Sequence, residues 1–138
     1  MNYKVFLDTN ILIDIVCNRE PWVKEALILI ELSKRKEIEL VAADFSFINI
    51  IYIVRKLFST EDICKLILDL KKYITVVEIG DSVLSAALKA KWTDIEDCIQ
   101  SFIAERECTD FIITRNKKDF VQSQVNAITP KEFIGKFL

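Results

Sequence analysis

From Tyr3 onward the chain alternates short runs of β-branched and apolar residues with longer segments whose apolar positions recur every three or four residues. "YKVFL" at 3–7 predicts a buried strand, and Ile11 to about Cys17 a short helix. Pro21 suits the first position of a second helix, with Val23, Ala26, Leu27 and Ile30 inward and Lys24, Glu31, Lys34 and Arg35 in water. "EIELVAA" at 37–43 predicts a second strand, and "FSFINIIYIVRKLF" at 45–58 is long enough for a buried helix. Ser59 or Thr60 caps a further helix over 61–72. "ITVVEI" at 74–79 predicts the third strand. Asp81 then opens a helix with Val83, Leu84, Ala87 and Leu88 on one face. "TDIEDCIQSFIAERE" follows with a stripe of Ile95, Cys98, Ile99, Phe102 and Ile103, and Thr93 with Glu96 matches a capping box. "DFIIT" at 110–114 predicts the fourth strand, a weak fifth lies near 125–128, and Pro130 starts a closing helix.

Helices that separate short strands throughout predict an α/β fold, a parallel sheet covered on both faces. With 138 residues, 51% of them apolar, residues 1–138 are expected to form one domain that needs neither disulfide nor metal for its core. The four cysteines show no CxxC spacing, and buried reduced thiols are expected. The amino end lacks a charged segment leading into an apolar one, and no apolar run approaches the roughly 18 residues of a membrane span, so a soluble, cytoplasmic protein with no membrane partner is expected. The absence of histidine excludes imidazole bases, serine and cysteine triads and nitrogen-ligated zinc. Carboxylates must carry any acid, base or metal chemistry. A net charge of -2 argues against gripping nucleic acid by bulk charge but leaves room for phosphates bridged by metal.

Ligands of open parallel sheets bind beyond the carboxyl ends of the strands, where strand order reverses. Asp8, Thr9 and Asn10 follow the first strand; Thr114, Arg115, Asn116, Lys117, Lys118 and Asp119 follow the fourth. Asp94 and Asp97, three residues apart, share one side of a helix, with Ser101 one turn further on. If the first and fourth strands are neighbours, these carboxylates converge. Plainer readings stand beside each residue. Asp8 or Thr9 could cap the following helix, Asp94 could offset a helix dipole, and Asn49 could be a buried amide bonded to backbone. Arg115, Lys117 and Lys118 could form an ordinary wet turn, the reading preferred for Lys71 and Lys72. Asp97, beside the apolar stripe, resists such a reading.

Carboxylates without histidine suit Mg²⁺ or Mn²⁺, which prefer oxygen ligands and serve phosphodiester hydrolysis. "FLDTNILID", "WTDIEDCIQSFIAE" and "IITRNKKDF" resemble the three acidic blocks of PIN domains, metal-dependent nucleases that include VapC-like toxins of toxin–antitoxin pairs. The likeness runs from residue 5 to about residue 120. It implies a three-layer α/β/α sandwich with a central parallel sheet of four to five strands, the first strand central and beside the fourth. It also implies RNA as substrate, single-stranded or structured, Mg²⁺ or Mn²⁺ as cofactor, an antitoxin as a possible partner, and dimerisation. By resemblance, Asp8 is the first metal ligand, with Thr9 and Asn10 orienting it or its water by hydrogen bonds; Asp97 is the main ligand from the helix, and Asp94 a second. Asn116 stands where many relatives have aspartate, Thr114 braces the loop, and Asp119 binds metal through water or fixes the turn. Arg115, Lys117 and Lys118 are available for substrate phosphates. One departure is Asn49, which stands where most PIN domains carry glutamate. An amide there would hold a cation more weakly and cannot act as a base. The form "FSFINIIYIVRK" resembles a branch of the family that has asparagine at this place.

Two rivals remain open at this point. A haloacid dehalogenase-like phosphatase would need a second aspartate where Asn10 stands, and would form a phosphoaspartate on Asp8. A PIN-like module that binds RNA or protein without cutting is favoured by Asn49 and by the modest negative charge.

Overall fold

The computed structural model describes residues 2–137. Five parallel strands, β1 (Tyr3–Leu7), β2 (Ile38–Ala43), β3 (Ile74–Val77), β4 (Phe111–Ile113) and β5 (Ala127–Ile128), form one sheet in the order β3-β2-β1-β4-β5. The helices are α1 (Thr9–Val16), α2 (Val23–Lys34), α3 (Asp44–Val54), α4 (Thr60–Leu70), α5 (Asp81–Lys89), α6 (Ile95–Arg106) and α7 (Pro130–Phe137), with a 3-10 turn over Lys117–Phe120. Alternation along the strands makes the layers. Val5, Leu7, Leu40, Ala42 and Ile113 face α1, α2, α3, α4 and α7, whereas Phe6, Val41, Ala43 and Ile112 face α5 and α6. The result is a three-layer α/β/α sandwich, and β1, covered on both faces, lies at its centre. Phe133 of α7 is fully buried against Tyr3 and Phe111, with ring centroids 5.6 and 6.2 Å away.

Several local readings change. The first helical residue after Pro21 is Val23, whose N–H bonds to the Arg19 carbonyl, so Pro21 belongs to the turn ahead of α2. The long segment 45–58 is helical only to Val54. There the N–H groups of Leu57 and Phe58 both fold back onto the Val54 carbonyl, and Ser59 then caps α4 by accepting from the Asp62 N–H. The third strand stops at Val77 because its partner β2 stops at Ala43; the Glu78 and Ile79 carbonyls accept instead from the Arg106 guanidinium. Leu27, Leu84, Leu88 and Ile95 are exposed. Each lies at the margin of its stripe, and these outer helices are covered along one line only: Val23, Ala26, Leu29 and Ile30 in α2, Val83 and Ala87 in α5. Of the four free thiols only Cys98 is buried; Cys17 is half-buried, and Cys64 and Cys108 lie at the surface, where α4 and the end of α6 face water. Among the described residues no helix is long and apolar enough to cross a membrane.

One ion-pair cluster ties α1 to the loop after β4. Asp14 is fully buried, and Arg115 grips it with Nε–Oδ2 at 2.8 Å and Nη2–Oδ1 at 3.2 Å. Arg19 adds a second positive charge, its Nε 3.2 Å from Oδ1 but off the hydrogen-bond line. The Arg115 guanidinium lies 3.8 Å over the Trp22 ring. Arg115→Ala strands a buried carboxylate, with Arg19 as partial compensation, and should cost about 3 kcal/mol in urea unfolding. A loss below about 1 kcal/mol would show that Arg19 alone suffices.

Candidate active site

The strand order puts the carboxyl ends of β1 and β4 side by side, and the Asp8 N–H bonds to the Ile113 carbonyl at 3.0 Å. Asp8 occupies the N-cap position of α1, yet its side chain makes no cap bond. Its Oδ1 accepts from Gln100 Nε2 at 3.0 Å, and its Oδ2 accepts from Thr114 Oγ1 at 2.8 Å. Its two close hydrogen bonds therefore come from outside the helix it precedes. Gln100, almost fully buried on α6, also accepts from the Thr9 N–H at 3.1 Å, while the Thr9 hydroxyl is 2.6 Å from Ser46 Oγ. Thr9 thus reaches Asp8 through Gln100 rather than directly.

A cleft of about 420 Å³ opens above Asp8, lined by Asp8, Thr9, Asn10, Ile13, Asn49, Tyr52, Ile53, Asp94, Glu96, Asp97, Gln100 and Asp119. Five of these side chains are carboxylates and none is lysine or arginine. A larger hollow of about 590 Å³ lies at the opposite end of the sheet among Lys4, Lys36, Lys71 and Lys72, with Glu39 its one acid. The ligand end of such a sheet is the carboxyl end.

Asp94 rather than Thr93 caps α6, its Oδ1 accepting from the Asp97 N–H at 3.0 Å. This releases Glu96 from the expected box. Glu96 instead lines the cleft, where its Oε1 accepts from Asn49 Nδ2 at 2.9 Å. Asn49 is accordingly neither deeply buried nor bonded to backbone. Ser101 points elsewhere: it is buried and donates to Ser123 at 2.7 Å.

The loop after β4 divides its residues. Thr114 holds Asp8 and accepts from the Asn116 N–H, and Asp119 enters the cleft. Asn116 is exposed and does not line the cleft; its carbonyl accepts from the Asp119 N–H, which helps turn Asp119 inward. Arg115 is committed to Asp14 and Lys117 pairs with Glu132 at 3.0 Å, and neither lines the cleft; Lys118 is exposed and does not line it either. The substrate-phosphate role expected for Arg115 does not match this placement, because the buried Asp14 takes its planar fork.

Crowded like charges perturb the acids. Burial pushes the Asp8 carboxyl above its ordinary range, more than Gln100, Thr114 and the Asn10 backbone N–H pull it down. Asp97 is raised to about 7, first by burial and then by the charges of Asp94, Asp8, Asp119 and Glu96. Glu96 is raised by burial and by Asp94 and Asp8. Among the described residues no three of these acids stand close enough to cage one ion. The donor set still fits Mg²⁺ or Mn²⁺, because such ions keep several waters and need only one or two protein carboxylates. Asp8 retains acceptor capacity on both oxygens, each having used one lone pair.

Gln100 and Glu96 are the site residues that the sequence reading passed over. Their signal was present: Glu96 and Gln100 are one turn apart on the helix of Asp97, and a glutamine amid the apolar stripe needs a buried partner.

Comparison with known proteins fits this geometry. The PIN domain profile matches residues 4–118. The chain is 25% identical over 142 residues to ribonuclease VapC1 of Aquifex aeolicus (strain VF5), covering 97% of this chain and 95% of that protein. A toxin–antitoxin complex from Klebsiella pneumoniae contains a chain that superposes with a TM-score of 0.67 at 22% identity, covering 91% of this chain and 97% of that one. VapBC2 from Rickettsia felis, bound to a DNA fragment from its promoter, gives 0.66 at 15% identity over 91% of this chain and 98% of that one. With β1 central, β4 beside it and the acids gathered at their carboxyl ends, the chain belongs to the PIN domain family.

Proposed function

We propose that this chain is a metal-dependent endoribonuclease that cuts RNA at the Asp8 cleft with Mg²⁺ or Mn²⁺, and that it is the toxin of a toxin–antitoxin pair. The observation that carries the reading is a cleft with five carboxylates and no basic side chain. RNA carries a charge at every phosphate, so such a cleft repels it until cations intervene. Asp8 and Asp97 are the ligands best supported by burial and placement, with Asp94 and Asp119 at the rim and Asn116 supporting the loop from outside the cleft. When bound, the ion supplies positive charge to the scissile phosphate and acidifies its water. Gln100 and Thr114 hold the Asp8 oxygens in place. Asp97 would hold the ion from α6, and a bound cation would favour its charged form. Tyr52, exposed at the cleft edge, carries the Arg55 guanidinium over one face of its ring, 3.7 Å from the centroid, and offers its other face for a base. Ribonuclease VapC1 supports RNA as the substrate class, and the solved toxin–antitoxin relatives support a protein partner. Exposed Ile48, Ile51, Tyr52, Ile53 and Leu57 on α3 and the turn after it give such a partner apolar surface.

Purified protein should cut unstructured RNA in Mn²⁺ and stop on chelation. Asp8→Asn and Asp97→Asn should each lower the rate on the order of 100-fold or more, since even outer partners of a metal site cost 10- to 100-fold. Cleavage that survives both substitutions comes from a contaminant. Binding without cleavage would favour a non-cutting module.

A second expectation concerns pH in the metal-free protein. Asp97 moves from an ordinary 3.8 to about 7 on folding, so the folded state holds its proton more tightly. Stability from this group is present at low pH and is lost as pH rises from about 4 to 7. In EDTA, Asp97→Asn should therefore raise the melting temperature at pH 8 and flatten its fall between pH 5 and pH 8. A lower melting temperature at pH 8 would mean that the Asp97 charge is already compensated.

A further inference from the structure

Asn49 and Glu96 meet across the mouth of the cleft, one from α3 and one from the first turn of α6, helices on opposite faces of the sheet. The contact is direct, Nδ2 to Oε1 at 2.9 Å, and it uses the amide as donor. Among the described residues Oε1 is the one Glu96 oxygen with a hydrogen-bond partner, which leaves Oε2 open to the cleft that the side chain lines. Helix capping is not the occupation of Glu96, because Asp94 performs it. A carboxylate at position 49 would stand against this one as a like charge, whereas an amide there turns repulsion into a hydrogen bond. The two positions thus hold one acid and one amide between them.

We propose that Glu96 supplies the carboxylate that an acid at position 49 would otherwise bring to the metal site, the charge having crossed the cleft from α3 to α6, with Asn49 as its positioning residue. This rests on the nuclease reading and extends it, since Asn49 then marks a relocated acid rather than a missing one. Glu96 would bear on the hydrated cation from the mouth of the cleft, through the ion's waters; Asn49 acts through Glu96.

The test is a calorimetric titration of Mn²⁺ into the metal-free full chain, with RNA cleavage measured in parallel. Glu96→Gln keeps the shape and removes the charge, and should weaken Mn²⁺ binding about 10-fold or more. In the double variant Asn49→Glu/Glu96→Gln the amide and the carboxylate trade sides. One hydrogen bond and one charge remain, and both Mn²⁺ affinity and cleavage should return. Unchanged Mn²⁺ affinity in Glu96→Gln overturns the proposal. So does a folded double variant that binds Mn²⁺ no better than Glu96→Gln. Wild-type binding that Asp8→Asn leaves untouched removes the metal-site reading itself, which distinguishes that failure from this one.

Discussion

The grip on the Asp8 carboxylate organises the carboxyl edge of the sheet. A carboxylate only 4% exposed must find donors for its oxygens, and it finds one on each side: Gln100 from α6 and Thr114 from the end of β4. Gln100 passes the connection to Thr9, and Thr9 to Ser46 on α3. A continuous run of hydrogen bonds therefore crosses the top of the sheet and joins both helical layers. It works only because β1 is central and lies directly beside β4. Strand order, helix placement and the position of the first acid are one constraint seen at three scales.

Around this anchor the molecule accumulates negative charge that it does not neutralise. Asp94, Glu96, Asp97 and Asp119 surround Asp8, and no lysine or arginine lines their cleft: Arg115 is held by Asp14 and Lys117 by Glu132, while Arg55 lies over the Tyr52 ring at the edge. Burial first, and then the neighbouring carboxylates, raise Asp97 to about 7. Holding unneutralised acids together costs stability, and functional sites are where such costs persist. The Asp14–Arg115 pair contributes the rigidity: it fastens α1 to the loop that carries Thr114 and Asp119, so the acids are held from behind while their open side stays anionic. On the proposed reading a divalent cation is the ligand that meets this charge, and the PIN domain match supports that reading.

Much of this was legible in the sequence because periodicity and strand ends are local signals. The strands, their alternation with helices and the placement of Asp8, Asp97 and Thr114 at the carboxyl edge all follow from short motifs and one rule about parallel sheets. What escaped depends on partners distant in the chain. Arg115 reads as a free cation until Asp14, 101 residues away, is placed against it. Glu96 reads as a cap until Asp94 takes that role and Asn49, 47 residues away, takes its carboxylate. Asn116 and Asp119 are three residues apart in a turn whose direction the sequence does not reveal; the turn points Asp119 inward and leaves Asn116 outside. Leu84 and Leu88 have the correct spacing but the wrong phase, and phase is set by what packs alongside.

The central claim is that carboxylate oxygens of Asp8, just beyond β1, and of Asp97 on α6 share a divalent ion. Anomalous diffraction from crystals soaked in Mn²⁺ tests it most directly. The account predicts one peak within about 2.3 Å of carboxylate oxygens of both Asp8 and Asp97, with waters completing the shell. Saturating Mn²⁺ that leaves the cleft without a peak, or places the ion on the lysine-lined hollow or the outer surface instead, would contradict it.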